Sequence, residues 1–202
     1  MSDLSEIRRA IAAAPPELRA SLRAAVESGI GALRKPEEIS LPRWAHRNFY
    51  LSAESSQREE RWRAWPLQIG VLFCLGDDAT KEVWWFKSAR VGASKCLLAD
   101  IAYTAQHQRR NQGLWLPTDA DRDDYVKTDL DPMLRDVAVM RSVFPKASAR
   151  SKENTLQQKK FLGSLLKLRG GQSSGNYRRL TLAKARADEL DGFEQSVENA
   201  GT

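Results

Sequence analysis

Residues 86–95, "FKSARVGASK", follow the apolar run "EVWWF" and lead into "CLLADIAYTA". A strand, a tight loop closed by glycine and a helix opened by serine make a phosphate cradle, because backbone amides and a helix N-terminus both favour an anion. Against the template G-x-x-x-x-G-K-[ST], Lys87 stands first, Gly92 sixth, Ala93 in the lysine position and Ser94 last. The amides of Ser88, Ala89, Arg90, Val91, Gly92, Ala93 and Ser94 form the candidate cradle, and Gly92 lets the backbone turn close to a phosphate. Ser94 opens the helix and offers its hydroxyl to Mg²⁺. Phosphate also calls for a mobile positive charge. Lys87 leaves the strand on the opposite side of the loop, and its long stem reaches back across the cradle. Lys95, directed towards solvent, and Arg90, placed mid-loop to sense or stabilise a γ-phosphate, are the other candidate cations, and the choice between Lys87 and Lys95 stays open.

The second chemical feature is "ARADELDGF", where Asp188 and Glu189 follow a short stretch of mostly small residues. Adjacent acids at a strand end suit phosphate hydrolysis: the first carboxylate holds Mg²⁺ through water and the second polarises the attacking water. Lys184 and Arg186 interrupt the apolar run that such a pair ordinarily follows.

The elements that must position these groups read as follows. Residues 4–30 form two short helices interrupted by Pro15 and Pro16, the second with Leu18, Leu22 and Val26 on one stripe. "SLPRWAHRNFYLSAESS" is a short helix and a loop, and "RWRAWPLQIGVLFCLGD" a helix with Pro66 in its first turn. "KEVWWFK" is a buried strand, "SKCLLADIAYTAQHQRR" a strong helix, and "QGLWLPTD" a strand stopped by Pro117. "DADRDDYVKTDLDPMLRDVAVMRSVF" is helical with a break at Pro132, and "NTLQQKKFLGSLLKLRGG" makes two strands around Gly163. Strands alternating with helices predict an α/β fold with a parallel sheet flanked by helices, which binds ligands at the carboxyl ends of its strands.

Composition sets broad limits. With 42% hydrophobic and 29% charged residues the chain is an ordinary globular one. Its apolar runs are shorter than the roughly 20 residues of a bilayer span, so no membrane partner is expected, and no secretory signal is evident. Cys74 and Cys96 read as buried thiols in a reducing cytoplasm and are too few for a zinc site. The +6 charge, concentrated at "QHQRRNQ", "FPKASARSK", "QQKKF" and "NYRRLTLAKAR", favours a polyanionic partner weakly.

From about residue 30 onward the chain resembles the ATPase part of the large terminase subunit of lambda-type tailed phages, the family that cuts concatemeric DNA and pumps it into procapsids. The resemblance rests on "WAHRNFYLSAESS", "RWRAWPLQ", "EVWWFKSARVGASKCLL", "LWLPTDADRDDYVKTDLDPMLRD", "ENTLQQKKF", "RGGQSSGNYR" and "ADELDGFEQ", in the family's order and near its spacing. "KSARVG-x-SK" is the family's own variant of the phosphate loop (Walker A), with the working lysine in front. The resemblance implies a P-loop NTPase-type domain over residues 36–202 and a helical extension over residues 1–35. It implies Lys87, Gly92 and Ser94 as contacts to ATP and Mg²⁺, Asp188 as the Mg²⁺ carboxylate and Glu189 as the base. Gln68 matches a position that reads the adenine edge, and Tyr50 or Phe49 is the stacking candidate. Arg178, in "NYRR", matches a segment that couples nucleotide state to DNA.

The partners so implied are double-stranded DNA, the terminase small subunit through the N-terminal region, and the portal and procapsid of the intact motor in the bacterial host cytoplasm. The family continues for several hundred residues beyond the acidic pair, so the coupling motif, the last core strands and the nuclease domain are expected outside this chain. "EVWWF" would then lack lateral partners and leave Trp84 or Trp85 exposed. Three readings follow: an ATP-hydrolysing portion of a packaging motor, an inactive prophage remnant that at most binds nucleotide, DNA or a partner, and a basic nucleic-acid-binding module that never meets ATP.

Overall fold

A computed structural model describes residues 9, 11–33, 38–54, 56, 59–144 and 152–193. The chain divides into two units, Met1–Glu37 and Glu38–Thr202. The first carries helix α1 (Pro16–Leu33), which begins at a proline because the first helical position has no use for the missing N–H. Its stripe of Leu18, Leu22 and Val26 is exposed.

In the second unit, α2 (Leu41–Asn48) leads into a small ribbon of β1 (Tyr50–Leu51) and β2 (Glu60–Arg61). Helix α3 (Pro66–Gly76) again starts on a proline and buries only Gln68 and Leu72. Helix α4 (Ala93–Tyr103) continues through a π-helical turn, Thr104–Gln108, towards strand β3 (Gln112–Leu116). Helix α5 (Asp119–Tyr125), capped by Thr118 and Asp121, passes through a second π-helical turn, Val126–Leu130, into α6 (Asp131–Asp136). Pro132 sits in the first turn of α6, so the predicted break takes the form of this joint. Strands β4 (Gln158–Phe161), β5 (Ser164–Gly170) and β6 (Lys184–Ala187) complete the main sheet.

The sheet order is β4-β5-β3-β6. Strand β3 runs parallel to both β5 and β6, while β4 is antiparallel to β5. The sheet is therefore mixed, which corrects the expectation of a parallel one. Gly163, at φ 84°, takes the left-handed conformation that lets Leu162–Gly163 close a hairpin from Phe161 directly to Ser164. Register places Gln112 beside Leu166 and Lys184, and Leu114 beside Leu168 and Arg186. These residues share one face, and Leu114, Leu166 and Leu168 join side chains of α2 to α6 in a single core. On the opposite face Trp115 stacks on Tyr177, with centroids 5.8 Å apart.

Residues 81–87, read from sequence as a buried strand, form none. Trp84 is 69% exposed and Phe86 95% exposed, while Trp85 packs partly against the core. Lateral hydrogen bonding makes a strand, and this segment has no ladder partner among the described residues. Cys96 is buried, which pushes its thiol up to about 12, but Cys74 is exposed, contrary to the expectation for both. Since α3 buries so narrow a stripe, residue type alone does not predict the position of Cys74.

Candidate functional site

Gly92, at φ 75°, caps α4 in the left-handed region and so turns the chain from loop to helix. A Cβ at this position would stand 2.7 Å from Gln68 Nε2. That close approach has a purpose. Gln68, buried at the start of α3, donates through Nε2 to the Val91 carbonyl at 2.8 Å. Its Oε1 accepts from the Trp65 N–H at 2.8 Å. One amide thus fastens the loop to the N-terminus of α3.

Ser94, in the first turn of α4, donates from its hydroxyl to Asp188 Oδ2 at 2.7 Å. Asp188 stands just past the end of β6, where its N–H bonds the Trp115 carbonyl at 3.1 Å and its side chain is buried. Lys87 Nζ lies 3.7 Å from Asp188 Oδ1. Lys87, Ser94 and Asp188 therefore converge, although 94 positions separate the two that share a hydrogen bond. Glu189 is exposed in a left-handed turn at φ 54°, and its N–H donates to Asp188 Oδ1 at 3.0 Å. Arg90 is also exposed, at φ 63°.

Other expected residues fall elsewhere. Lys95 does not project into solvent: it is ion-paired with Asp129 of the second π-helical turn. Tyr50 lies in the β1–β2 ribbon, where desolvation, then Glu59 and Asp136, push its phenol up. Phe49 is buried edge-on against Trp62, at 5.5 Å between centroids, and has no free face for stacking on a base. Arg178 is exposed after a short 3₁₀ turn, Ser174–Tyr177.

The two bases that interrupt the apolar run are structural. Arg186 Nε donates to Asp100 Oδ2 at 2.6 Å, its Nη1 to Gln112 Oε1 at 2.7 Å, and its Nη2 to Thr104 Oγ1 at 2.8 Å. Lys184 Nζ bonds Asp100 Oδ1 at 2.9 Å and the Leu75 carbonyl at 2.6 Å. Burial pulls the Lys184 ammonium below its ordinary range, against the attraction of Asp100. Asp100 and Asp129, the partners of these bases and of Lys95, were not singled out from sequence. Asp100 was detectable in principle, as the one acid of a largely apolar helix facing a strand with two unexplained bases.

A glycine-closed loop at a helix N-terminus, meeting an acid at a strand end of an α/β sheet, is compatible with a nucleoside triphosphatase fold. The family model described as phage terminase large subunit gpA, ATPase domain, matches residues 56–202, and the chain belongs to this family. It is 37% identical to the large terminase subunit of Escherichia phage lambda over 182 residues, 90% of this chain. Identity to the large terminase subunit of Enterobacteria phage P21 is 35% over 184 residues, 91% of this chain. The chain spans 28% and 29% of the lengths of these relatives. No solved structure matches it. None of the described helices is long and apolar enough to cross a membrane.

Proposed function

We propose that residues 36–202 bind ATP with Mg²⁺ at the 87–94 loop and, within a terminase motor in the host cytoplasm, hydrolyse it to drive double-stranded DNA into a procapsid. The observation that supports this most is the meeting of Ser94 with Asp188 at 2.7 Å, with Lys87 3.7 Å from the same carboxylate. A hydroxyl and a carboxylate are hard oxygen donors, so Ser94 and Asp188 would suit Mg²⁺, which would supply positive charge against that of the phosphate oxygens. The left-handed turn at Gly92 fits a backbone drawn close around a phosphate.

In this reading Lys87 neutralises phosphate charge from the upstream side of the loop, and Arg90 meets the terminal phosphate. Glu189 polarises the attacking water. Gln68 holds the loop with one N–H and keeps its second N–H for an adenine edge, with Tyr50 stacking on the base. Residues 1–35 dock the small subunit, Arg178 couples nucleotide state to DNA, and the portal receives the assembled motor.

Titration of the purified chain with Mg²⁺ and AMP-PNP, alongside ATP turnover, tests the reading. Wild type and Glu189→Gln are expected to bind alike, Glu189→Gln to lose turnover, and Lys87→Ala to lose binding. Absence of binding by wild type overturns the nucleotide site, and normal binding by Lys87→Ala overturns the lysine assignment.

A second reading, an inactive remnant that binds nucleotide, DNA or a partner without turnover, is favoured by the segment before the loop. Residues 81–87 lie outside the sheet with Phe86 95% exposed, so Lys87 is not anchored by a strand. Equal background turnover by wild type and Glu189→Gln, with nucleotide still bound, would select this alternative.

A further inference from the structure

The carboxylate of Asp188 has a partner at each oxygen. Oδ2 accepts from the Ser94 hydroxyl at 2.7 Å, while Oδ1 accepts from the Glu189 N–H at 3.0 Å and lies 3.7 Å from Lys87 Nζ. Two of these partners, Ser94 and Lys87, are the side chains that the nucleotide reading gives to Mg²⁺ and phosphate. A carboxylate and a phosphate are alike in what they offer, namely negative oxygens that accept hydrogen bonds. The cation and the hydroxyl of the loop are thus engaged by an anion of the protein itself.

The balance of charge sharpens this competition. The cations between residues 87 and 94 are Lys87 and Arg90, the acids that follow β6 are Asp188 and Glu189, and the two pairs cancel. Neighbouring bases are committed elsewhere: Lys95 is ion-paired with Asp129, and Lys184 and Arg186 are ion-paired with Asp100. Asp188 is only 6% exposed, so water screens its charge poorly. A nucleoside triphosphate that arrives without a cation meets this carboxylate as a like charge and must take Lys87 from it. One that arrives with a divalent cation brings the charge that reconciles the two anions, and hydroxyl and carboxylate oxygens are donors that such a cation accepts. Repelling the wrong ligand confers selectivity as surely as attracting the right one.

We propose that Asp188 makes the 87–94 loop select a metal-complexed nucleoside triphosphate over the free anion, by holding Lys87 and Ser94 against any phosphate that brings no cation. This rests on the nucleotide reading above, and it gives Asp188 a task in the ligand-free protein in addition to that of a cation ligand.

The test is titration of AMP-PNP in Mg²⁺ and in EDTA, with a thermal unfolding curve to identify the folded variants. Wild type is expected to bind the Mg²⁺ complex at least about tenfold more tightly than free AMP-PNP. Asp188→Asn keeps the shape of the side chain and removes its charge. It should bind free AMP-PNP about tenfold more tightly than wild type does, and the two forms within about twofold of each other. Asp188→Ala should show the same gain for the free nucleotide, so the test does not hang on one replacement. Lys87→Ala combined with Asp188→Asn should lose that gain, because the released ammonium is its source. Equal affinity of wild type for the two forms, no gain in a folded Asp188 variant, or a gain that survives the loss of Lys87 overturns the proposal. Where wild type still binds the Mg²⁺ complex, such a failure leaves the nucleotide site standing. Absence of binding by wild type in either condition overturns both.

Discussion

Arg186 Nε and Asp100 Oδ2 lie 2.6 Å apart in the interior between β6 and α4. The same two elements meet a second time where Ser94 bonds Asp188 at 2.7 Å. Asp100 is on the helix that opens with the loop, and Arg186 is two positions before the acid on its strand, on the same face. Two ties between one helix and one strand fix both the distance and the register of the 87–94 loop against Asp188 and Glu189. The charged residues that looked like flaws in a buried strand tie the candidate site together.

Arg186→Ala is expected to cost about 3–5 kcal/mol, because it leaves the Asp100 carboxylate buried with only Lys184 as an ionic partner. Removing both members, with Asp100→Leu and Arg186→Met together, should cost less than Arg186→Ala alone, since no unpaired charge remains. Urea unfolding of Arg186→Ala, of Asp100→Leu and Arg186→Met singly, and of the double variant measures this. A double variant as unstable as the sum of its parts would show that the pair acts independently and sets no register.

Gly92→Ala should destabilise by about 1–3 kcal/mol, from the left-handed backbone and from the displacement of Gln68. A Cβ there meets Gln68 Nε2 at 2.7 Å, and Gln68 must leave the Val91 carbonyl to make room. In the Gln68→Ala background that second cost disappears, so Gly92→Ala should then cost only the backbone part. Thermal or urea unfolding of the four proteins of this cycle gives the coupling, and strict additivity would mean that Gln68 does not hold the loop.

What the sequence made legible divides along physical lines. Helices α3 and α4, strands β3, β4, β5 and β6, and the turn at Gly163 were all readable, because proline, glycine and apolar periodicity act locally. The antiparallel direction of β4 was not inferred, though the hairpin glycine implied it. Residues 81–87 have strand composition and no strand, because pairing depends on a neighbour that composition does not supply. At the site, Lys87, Ser94 and Asp188 were picked out by type and spacing and do converge. Asp100 and Asp129 went unnoticed because their importance comes from what faces them across the fold, Arg186 and Lys95 respectively.

His107 gives the fold a pH dependence. Its ring stacks on Tyr103 with centroids 4.8 Å apart, and burial holds its pKa below the ordinary 6.5, with Glu38 opposing weakly. Between the folded value and about 6.5 the unfolded chain binds more protons, so stability rises with pH through that window, is lost as the solution is acidified through it, and levels off below it. His107→Phe keeps a stacking ring and does not titrate. The thermal midpoint of wild type should therefore drop more than that of the variant between about pH 7 and pH 5. Parallel pH profiles would assign the dependence to other groups.

The last expectation concerns the unpaired segment before the loop. Trp84 at 69% and Phe86 at 95% exposure, with Phe73 at 53% and Leu67 at 55% on α3, leave several large apolar side chains in water. Surface of this kind promotes association and adds little to the stability of the fold. Trp84→Ser with Phe86→Ser should change unfolding free energy by no more than about 0.5 kcal/mol, the usual range for side chains without buried contacts. The same pair of substitutions should lower the apparent mass of the chain at high concentration, read by light scattering after size exclusion. Trp85 provides the contrast, because it packs against the core and its replacement by serine should destabilise. If the Trp84 and Phe86 changes destabilise as much as Trp85→Ser, residues 81–87 are packed in solution and the loop has a supporting strand after all.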